Sequence, residues 1–178
     1  MSSLALLIVL VLGGVVALAS LRPNSFSVSR SAVIQAPAES VFARLVDFHA
    51  WRDWSPWASL DPNATESFNG PQSGVGSSFA WSGNRKVGAG KMTILECVKD
   101  ELLRLKLDFE RPMRGTRAAS FELKPEGDAT RLTWTMKGKN DFQAKLFSLF
   151  VNCDRLIGGD FEKGLANLKA LVEEKPAV

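Results

Sequence analysis

The sequence predicts an α+β fold: an antiparallel sheet of about seven strands wrapped around a long C-terminal helix, preceded by one transmembrane helix. Three observations support this prediction. After Thr65, short alternating segments are separated by turn signals at intervals of roughly 8–12 residues, as in an antiparallel meander. Another alternating segment and a short amphipathic helix precede them, and a long helix with one apolar stripe follows. A sheet with one apolar face, covered by one helix, makes two packed layers.

Strands are predicted wherever apolar and polar residues alternate between turn signals. The segments are Phe26–Gln35, Glu66–Asn69, Ser77–Trp81, Lys91–Val98, Leu102–Phe109, Ala118–Lys124 and Arg131–Lys137. Successive residues of a strand point to opposite faces, so parity selects one shared apolar face. That face contains Phe79, Trp81, Met92, Ile94, Leu103, Leu105, Leu107, Phe109, Ala119, Phe121, Leu123, Leu132, Trp134 and Met136. By the same parity, Cys97 is expected to face away from it.

Helices are predicted at three places in the domain. Pro37 followed by Ala38-Glu39-Ser40 is typical of a helix start, because proline and glutamate are both favoured in the first turn. A second short helix or turn holds His49 to Trp57. The C-terminal helix is predicted from about Asp141 to Glu174, with a kink or short break at Gly158-Gly159.

The N-terminal segment divides the chain into a predicted transmembrane anchor, residues 1–22, and the domain that follows it, residues 23–178. Leu4 to Leu21 carries no charge, and as a helix it would reach about 27 Å, enough for a hydrocarbon core. A cleaved signal peptide is the alternative, because Ala17-Leu18-Ala19 has the form of a cleavage site. The first basic residues, Arg22 and Arg30, follow the apolar run. They favour a single-pass cell-membrane protein with its domain on the cytoplasmic side.

Composition argues against several classes of function. The net charge of +3 comes from 22 basic and 19 acidic residues, and the basic ones are scattered, so no nucleic-acid partner is expected. Cys97 and Cys153 stand far apart, which indicates free thiols. One histidine and two separated cysteines give no metal-ligand spacing, and neither a metal nor a cofactor is expected.

Several segments, in this order, resemble the SRPBCC (START-like, helix-grip) superfamily, and within it the bacterial group of polyketide cyclase/dehydrase-like proteins. They are Ser31–Phe42, Asp47-Phe48, Trp51–Trp57, Gly88–Ile94, Thr130–Trp134 and Phe161–Lys169. The resemblance covers nearly all of Phe26–Glu174. It implies a helix-grip fold with an internal apolar cavity. It leaves the function open, because similar proteins include lipid carriers, hydrophobic-ligand binders and ring cyclases.

The resemblance implies a set of candidate cavity-lining residues: Phe79, Trp81, Met92, Ile94, Leu105, Leu107, Phe121, Trp134, Phe150, Ile157 and Phe161. The same residues could instead fill a solid core. Trp51, Trp54 and Trp57 are candidates for the cavity mouth. Their alternative role is to wedge the short helices against the sheet, with each N–H on a carbonyl.

The sequence favours membrane-tethered binding or transport of a hydrophobic small molecule or lipid, with Leu4 to Leu21 as the membrane contact. A polyketide cyclase/dehydratase-type enzyme is the first alternative, and an interaction module with a filled cavity is the second. No catalytic residue is assigned, so enzymatic activity stays uncertain, with the balance against it. His49 would need Asp47 or Asp53 as its partner, and Asp108, Glu110, Arg111 and Arg117 are expected in or near a solvated turn.

Overall fold

Seven strands form one antiparallel sheet in the computed structural model, which describes residues 3–174. They are β1 (Ser25–Ile34), β2 (Thr65–Asn69), β3 (Ser78–Ser82), β4 (Ala89–Val98), β5 (Leu102–Arg111), β6 (Gly115–Glu126) and β7 (Ala129–Lys139). Their order across the sheet is β1-β7-β6-β5-β4-β3-β2, so β1 closes the meander by pairing with β7. The predicted antiparallel sheet of an α+β fold is confirmed.

The helices are α1 (Ser3–Ser20), α2 (Ala38–Val46), a 3-10 helix (Phe48–Asp53), α3 (Phe142–Phe147) and α4 (Cys153–Glu173). As predicted, α2 begins directly after Pro37, and it buries Val41, Phe42 and Leu45 against the sheet. In the 3-10 helix, Phe48 and Trp51 are buried. The apolar faces of α2, the 3-10 helix and α4 meet the apolar face of the sheet in one core.

The predicted single helix from Asp141 to Glu174 is wrong in one respect. The chain leaves the helical path at residues 148–152, and a new helix starts where the Asn152 side chain accepts a hydrogen bond from the Arg155 N–H (3.0 Å). Gly158 and Gly159 lie inside α4 without breaking it. Phe150 therefore lies between the two helices and is 79% exposed, instead of facing the sheet.

A bulge in β4 corrects the expected orientation of Cys97. The pairing of β4 with β5 shifts between Ile94 and Glu96, and Leu95 is pushed out to 57% exposure. Beyond the bulge the parity is reversed, so Cys97 pairs with Leu103 and packs against the core. Both cysteines are free thiols, as expected, and burial raises the pKa of the Cys97 thiol.

The N-terminal helix α1 packs against α3 and buries Ala19, but most of its apolar surface is exposed. The exposed side chains are those of Leu6, Leu7, Ile8, Val9, Leu10, Val11, Leu12, Val16 and Leu18. Among the helices of residues 3–174, none combines the length and hydropathy required for a membrane span. The transmembrane helix expected at Leu4 to Leu21 is therefore not supported.

Candidate ligand-binding site

The interior beneath α4 is filled by aromatic side chains. Trp134 of β7 stacks on Phe161 of α4 with ring centroids 4.0 Å apart, and it lies 4.9 Å from the Phe121 ring of β6. Trp54 meets the Trp134 and Phe121 rings edge-on, at 5.7 and 6.2 Å. These four rings are at most 3% exposed. They occupy the region where a deep cavity was expected.

The predicted lining residues separate into three groups. Met92, Ile94, Leu105, Leu107, Phe121, Trp134 and Phe161 are buried; Phe79, Trp81 and Ile157 are partly buried; and Phe150 lies outside on the surface. Phe150 therefore does not line the interior, because the break between α3 and α4 turns it toward solvent.

The three tryptophans expected at a cavity mouth do not lie together at an opening. Trp51 and Trp54 are 5% and 1% exposed, and their indole N–H groups donate to the carbonyls of Leu45 (2.9 Å) and Arg44 (3.2 Å). They pin the end of α2 to the core, as in the wedge alternative. Trp57 is partly buried and meets the Trp134 ring edge-on at 5.8 Å.

Helix α4 covers only part of the concave face of the sheet. The Arg30 guanidinium of β1 lies at Gly158, between its partners Asp154 and Glu162, and near the end of the helix Lys169 donates to the Val33 carbonyl (2.7 Å). Since Gly158 lies about 7.5 Å from the first residue of α4, the helix begins at about the level of Val28 and runs toward the C-terminal end of β1. The part of the concave face before Val28 lies beyond the start of α4.

We call this uncovered part the open end; it is built from two rows of inward-facing residues that run across the sheet. The first row, fixed by the pairing register, is Phe26, Gly138, Arg117, Leu107, Met92, Phe79 and Phe68. The second row adds Gly115, Phe109, Gly90 and Trp81. Phe26, Phe68, Phe79, Trp81 and Phe109 are all only partly buried.

Aromatic rings form a continuous band over the β2–β5 part of the open end. Phe68 stacks on Phe79 (5.2 Å), Phe79 stacks on Trp81 (5.9 Å), and Trp81 meets Phe109 edge-on (5.9 Å). The Trp81 ring lies flat on Gly90, where a Cβ atom would come within 2.8 Å of it. The open end is thus a partly exposed apolar part of the concave face.

Arg117 is the one charged side chain in the first row. Its guanidinium lies over Gly138 and beside Gly115, 5.6 Å from the centroid of the Phe26 ring. It donates a hydrogen bond to the Thr116 carbonyl (3.0 Å), and no carboxylate within residues 3–174 forms an ion pair with it. Arg117 therefore presents a partly buried positive charge among apolar groups.

Deeper in the sheet, the Trp134 indole N–H has no hydrogen-bond partner although it is buried. A buried donor without a partner costs about 1–3 kcal/mol. Trp134 lies four residues along β7 from Gly138, which is about 13 Å from the open end. It lies among the packed rings of Phe161, Phe121 and Trp54.

His49 and Asp47 form a hydrogen-bonded pair at the other side of the sheet. The His49 Nδ1 donates to Asp47 Oδ1 (2.8 Å), and the imidazole stacks on Phe68 (4.0 Å) beside an open depression of about 450 Å³. Burial raises the pKa of Asp47, but hydrogen bonds from the His49 backbone, the His49 ring and Gln72 outweigh it and hold that pKa below its usual value. Within the described chain, no serine, threonine or cysteine hydrogen-bonds to His49, so a nucleophile is missing. Across residues 3–174, no three His, Cys, Asp or Glu residues cluster as a metal site.

Phe26, Phe109 and Arg117 were not assigned to the site from the sequence. The alternation of Arg117, Ala119, Phe121 and Leu123 places Arg117 on the apolar face of a strand that starts at Gly115. Pro112 and Gly115, which are turn residues, instead favour a loop at this position in the sequence. The limited extent of α4 has no signal in the sequence.

A sequence profile of the family described as "Polyketide cyclase / dehydrase and lipid transport" matches residues 25–173 of the chain. No curated protein matches it significantly.

Solved structures with the same fold have low sequence identity to the chain. Protein CV1439 of Chromobacterium violaceum is 20% identical with a TM-score of 0.60, and the match covers 86% of this chain and 100% of that one. The Aha1 dimer from Colwellia psychrerythraea is 14% identical with a TM-score of 0.60, covering 85% and 99%. CalU16 from Micromonospora echinospora is 18% identical with a TM-score of 0.59, covering 86% and 78%. These similarities show the helix-grip fold. With the profile match over residues 25–173, they show that the chain belongs to the polyketide cyclase/dehydrase and lipid transport family.

Proposed function

We propose that the chain binds a hydrophobic, lipid-like small molecule at the open end of the sheet and is attached to a membrane through α1. The observation that carries the proposal is the band of partly exposed aromatic rings, Phe68, Phe79, Trp81 and Phe109, beyond the cover of α4. Exposed apolar patches of this kind mark sites of binding. Membership of a family that includes lipid transport proteins supports the same class of ligand.

Membrane attachment is supported by the surface of α1 and by its position. The helix carries no charged residue and exposes apolar side chains from Leu6 to Leu18, which water solvates poorly. It ends at Ser20, and β1 begins at Ser25 with Phe26 in the first row of the open end. Attachment through α1 would bring the open end close to a bilayer and raise the local concentration of membrane-dissolved ligand. Arg22, directly after α1, favours the cytoplasmic side.

A binder or carrier accounts for the site better than an enzyme does. The open end is apolar apart from Arg117, and the Asp47–His49 pair has no nucleophile beside it. The filled interior beneath α4 favours a second candidate, an interaction module that holds no ligand. The experiment below separates the two.

The test is native mass spectrometry of the full-length protein after mild detergent extraction, with organic extraction and identification of any co-purifying compound. A stoichiometric apolar adduct is the expected result. Protein that stays empty under all growth conditions, and that takes up no added lipid, would favour the interaction module.

The matched variants are Phe109→Gln in the open end and Leu95→Gln on the outer face, where Leu95 is 57% exposed. Loss of apolar contact at Phe109 is expected to weaken ligand binding roughly tenfold, whereas Leu95→Gln leaves it unchanged. Equal ligand occupancy in the two variants would show that the ligand does not bind at the open end.

A further inference from the structure

We propose that the ligand is an anionic amphiphile, whose carboxylate or phosphate head binds Arg117 while its apolar tail lies on the aromatic band of the open end. This assignment rests on the proposed function and adds the chemical class of the ligand.

The surroundings of Arg117 favour an anionic ligand. Its inward-facing neighbours in the first row are Leu107 on one side and Gly138 on the other, with Phe26 beyond Gly138. Gly115 and Gly138 leave the guanidinium room to lie flat, since a Cβ atom at either position would come within 2.8 Å of a guanidinium nitrogen. The side chain is thereby held on the concave face with most of its N–H donors free.

Arg117 differs from Arg30, the other arginine on this face, because Arg30 has carboxylate partners. Arg30 donates to Glu162 Oε1 (2.7 Å) and to both oxygens of Asp154, at 3.2 and 3.0 Å, and these hydrogen bonds raise its pKa. A partly buried charge is unfavourable unless it is paired. The protein supplies carboxylates for Arg30 but none, among the residues described, for Arg117. An oxyanion brought by the ligand would complete the arrangement with charge-assisted, bidentate hydrogen bonds.

Positive charge exceeds negative charge at this end of the sheet. Arg114 in the β5–β6 turn and Lys139 at the end of β7 lie at the same end as Arg117, against the acids Glu110 and Asp141. Neither Arg114 nor Lys139 forms an ion pair within residues 3–174. This excess of positive charge attracts an anion to the site.

A path for an apolar tail starts beside Arg117. From Gly115 on β6, the second row continues over Phe109 and Gly90 to Trp81 on β3. Three strand spacings make a path of about 14 Å. Phe109 and Trp81 are only partly buried, and the path ends on the stacked Phe79 and Trp81 rings. A head group at Arg117 and a tail on this path explain both the positive charge of Arg117 and the partly exposed aromatic rings of the open end.

The proposal is tested with full-length protein in nanodiscs of zwitterionic lipid, at a pH where the probe carboxylate is ionised. The probes are dibromostearic acid and dibromostearyl alcohol, which share one tail. Bromine on the tail quenches Trp81, so the loss of tryptophan fluorescence reports binding. The variants are Arg117→Gln and, as control, Lys124→Gln, which removes the same charge from the exposed outer face of β6 at the opposite end of the sheet.

The wild-type protein and Lys124→Gln are expected to bind the acid about tenfold or more tightly than the alcohol, because charge-assisted hydrogen bonds are lost with the alcohol. Arg117→Gln is expected to bind both probes with the affinity that the wild type has for the alcohol. Equal wild-type affinity for acid and alcohol, or a preference that survives in Arg117→Gln, would overturn the head-group assignment while the proposed function stands. Binding of neither probe would overturn both. Inorganic phosphate that displaces the acid at comparable concentration would show that a free anion is the ligand, not an amphiphile.

Discussion

Asp47 links three parts of the chain through one carboxylate. Its Oδ1 accepts hydrogen bonds from the His49 backbone N–H (2.9 Å) and ring Nδ1 (2.8 Å), and its Oδ2 accepts one from Gln72 (3.3 Å). It thereby caps the 3-10 helix that carries Trp51 and holds the β2–β3 loop against it. The ionised form makes all of these contacts, which is why the Asp47 pKa lies below its usual value.

Protonation of Asp47 should destabilise the fold in acid. Because the pKa is lower in the folded protein than in the unfolded chain, the stabilisation is complete above the ordinary aspartate pKa, near 4, and is lost as the pH falls through the lower folded value. At neutral pH, Asp47→Asn should lower the free energy of unfolding by about 1 kcal/mol, as expected for loss of a cap. Below the folded pKa the difference should narrow. Urea unfolding of the full chain in mild detergent measures both.

The control for this prediction is Asp53→Asn, at an exposed position of the same 3-10 helix. That variant should follow the wild type at every pH. If the free energy of unfolding of Asp47→Asn differs from that of the wild type by the same amount at neutral and at acidic pH, the role given to the ionised carboxylate is wrong.

At the scale of elements, the sequence predicts where strands and helices occur. Where they end, and where a strand contains a bulge, depends on contacts between distant segments. The alternation of apolar residues predicts all seven strands and the shared inner face, and Pro37 predicts the start of α2. The bulge at Leu95 leaves the alternation of apolar side chains almost intact, so Cys97 was placed on the wrong face. The filled interior was also beyond prediction, because the same aromatic residues can line a cavity or close it.

The two glycines of α4 show why the break in the C-terminal helix was misplaced. Glycine is a poor helix former, which suggested a kink at Gly158-Gly159. In the structure, Gly158 faces the sheet, and the Arg30 guanidinium occupies the place of a Cβ atom, whereas Gly159 has nothing within 4 Å of that position. A glycine is required at position 158 because the Arg30 side chain lies against it. The two residues are 128 positions apart in the sequence, so no local sequence pattern reveals this contact.

These neighbouring glycines make a matched pair for mutation. Gly159→Ala should raise the free energy of unfolding by up to about 1 kcal/mol, because alanine is the better helix former and meets no neighbour. Gly158→Ala has the same gain in propensity but displaces Arg30 from Asp154 and Glu162, so it should melt below the wild type. The comparison is the melting temperature of the two variants. Equal stabilisation by both would show that Arg30 moves aside without cost.

At the scale of the whole molecule, basic residues outnumber acidic ones at one end of the strands. The end next to α1 carries Arg22, Arg85, Lys86, Arg111, Arg114, Arg117 and Lys139 in strand ends and connecting segments, against Asp61, Glu110 and Asp141. The opposite end carries Glu39, Asp100, Glu101, Glu126, Asp128 and Glu173, against Lys99, Lys124, Arg131 and Lys169. Exposed apolar side chains gather at the basic end as well, with Leu21 after α1, Met113 in the β5–β6 turn and Phe142 in α3. A basic end with apolar side chains suits an anionic bilayer surface, and it is the end from which α1 emerges.

Hydrogen exchange of the full-length protein in nanodiscs tests this orientation. With anionic lipid, the β3–β4 connection at residues 83–88 and the β5–β6 turn at residues 112–114 should exchange more slowly than with zwitterionic lipid. Each basic residue near an anionic surface contributes about 1 kcal/mol of attraction, and salt screens it, so high salt should remove the added protection.

The β4–β5 and β6–β7 turns at the acidic end are the internal control and should not respond. Reversing charge with Arg85→Glu and Lys86→Glu should weaken the effect, most of all at residues 83–88, without altering exchange of the core strands. Equal protection at both ends would mean that the bilayer does not face the open end, and attachment through α1 would then not deliver ligand to it.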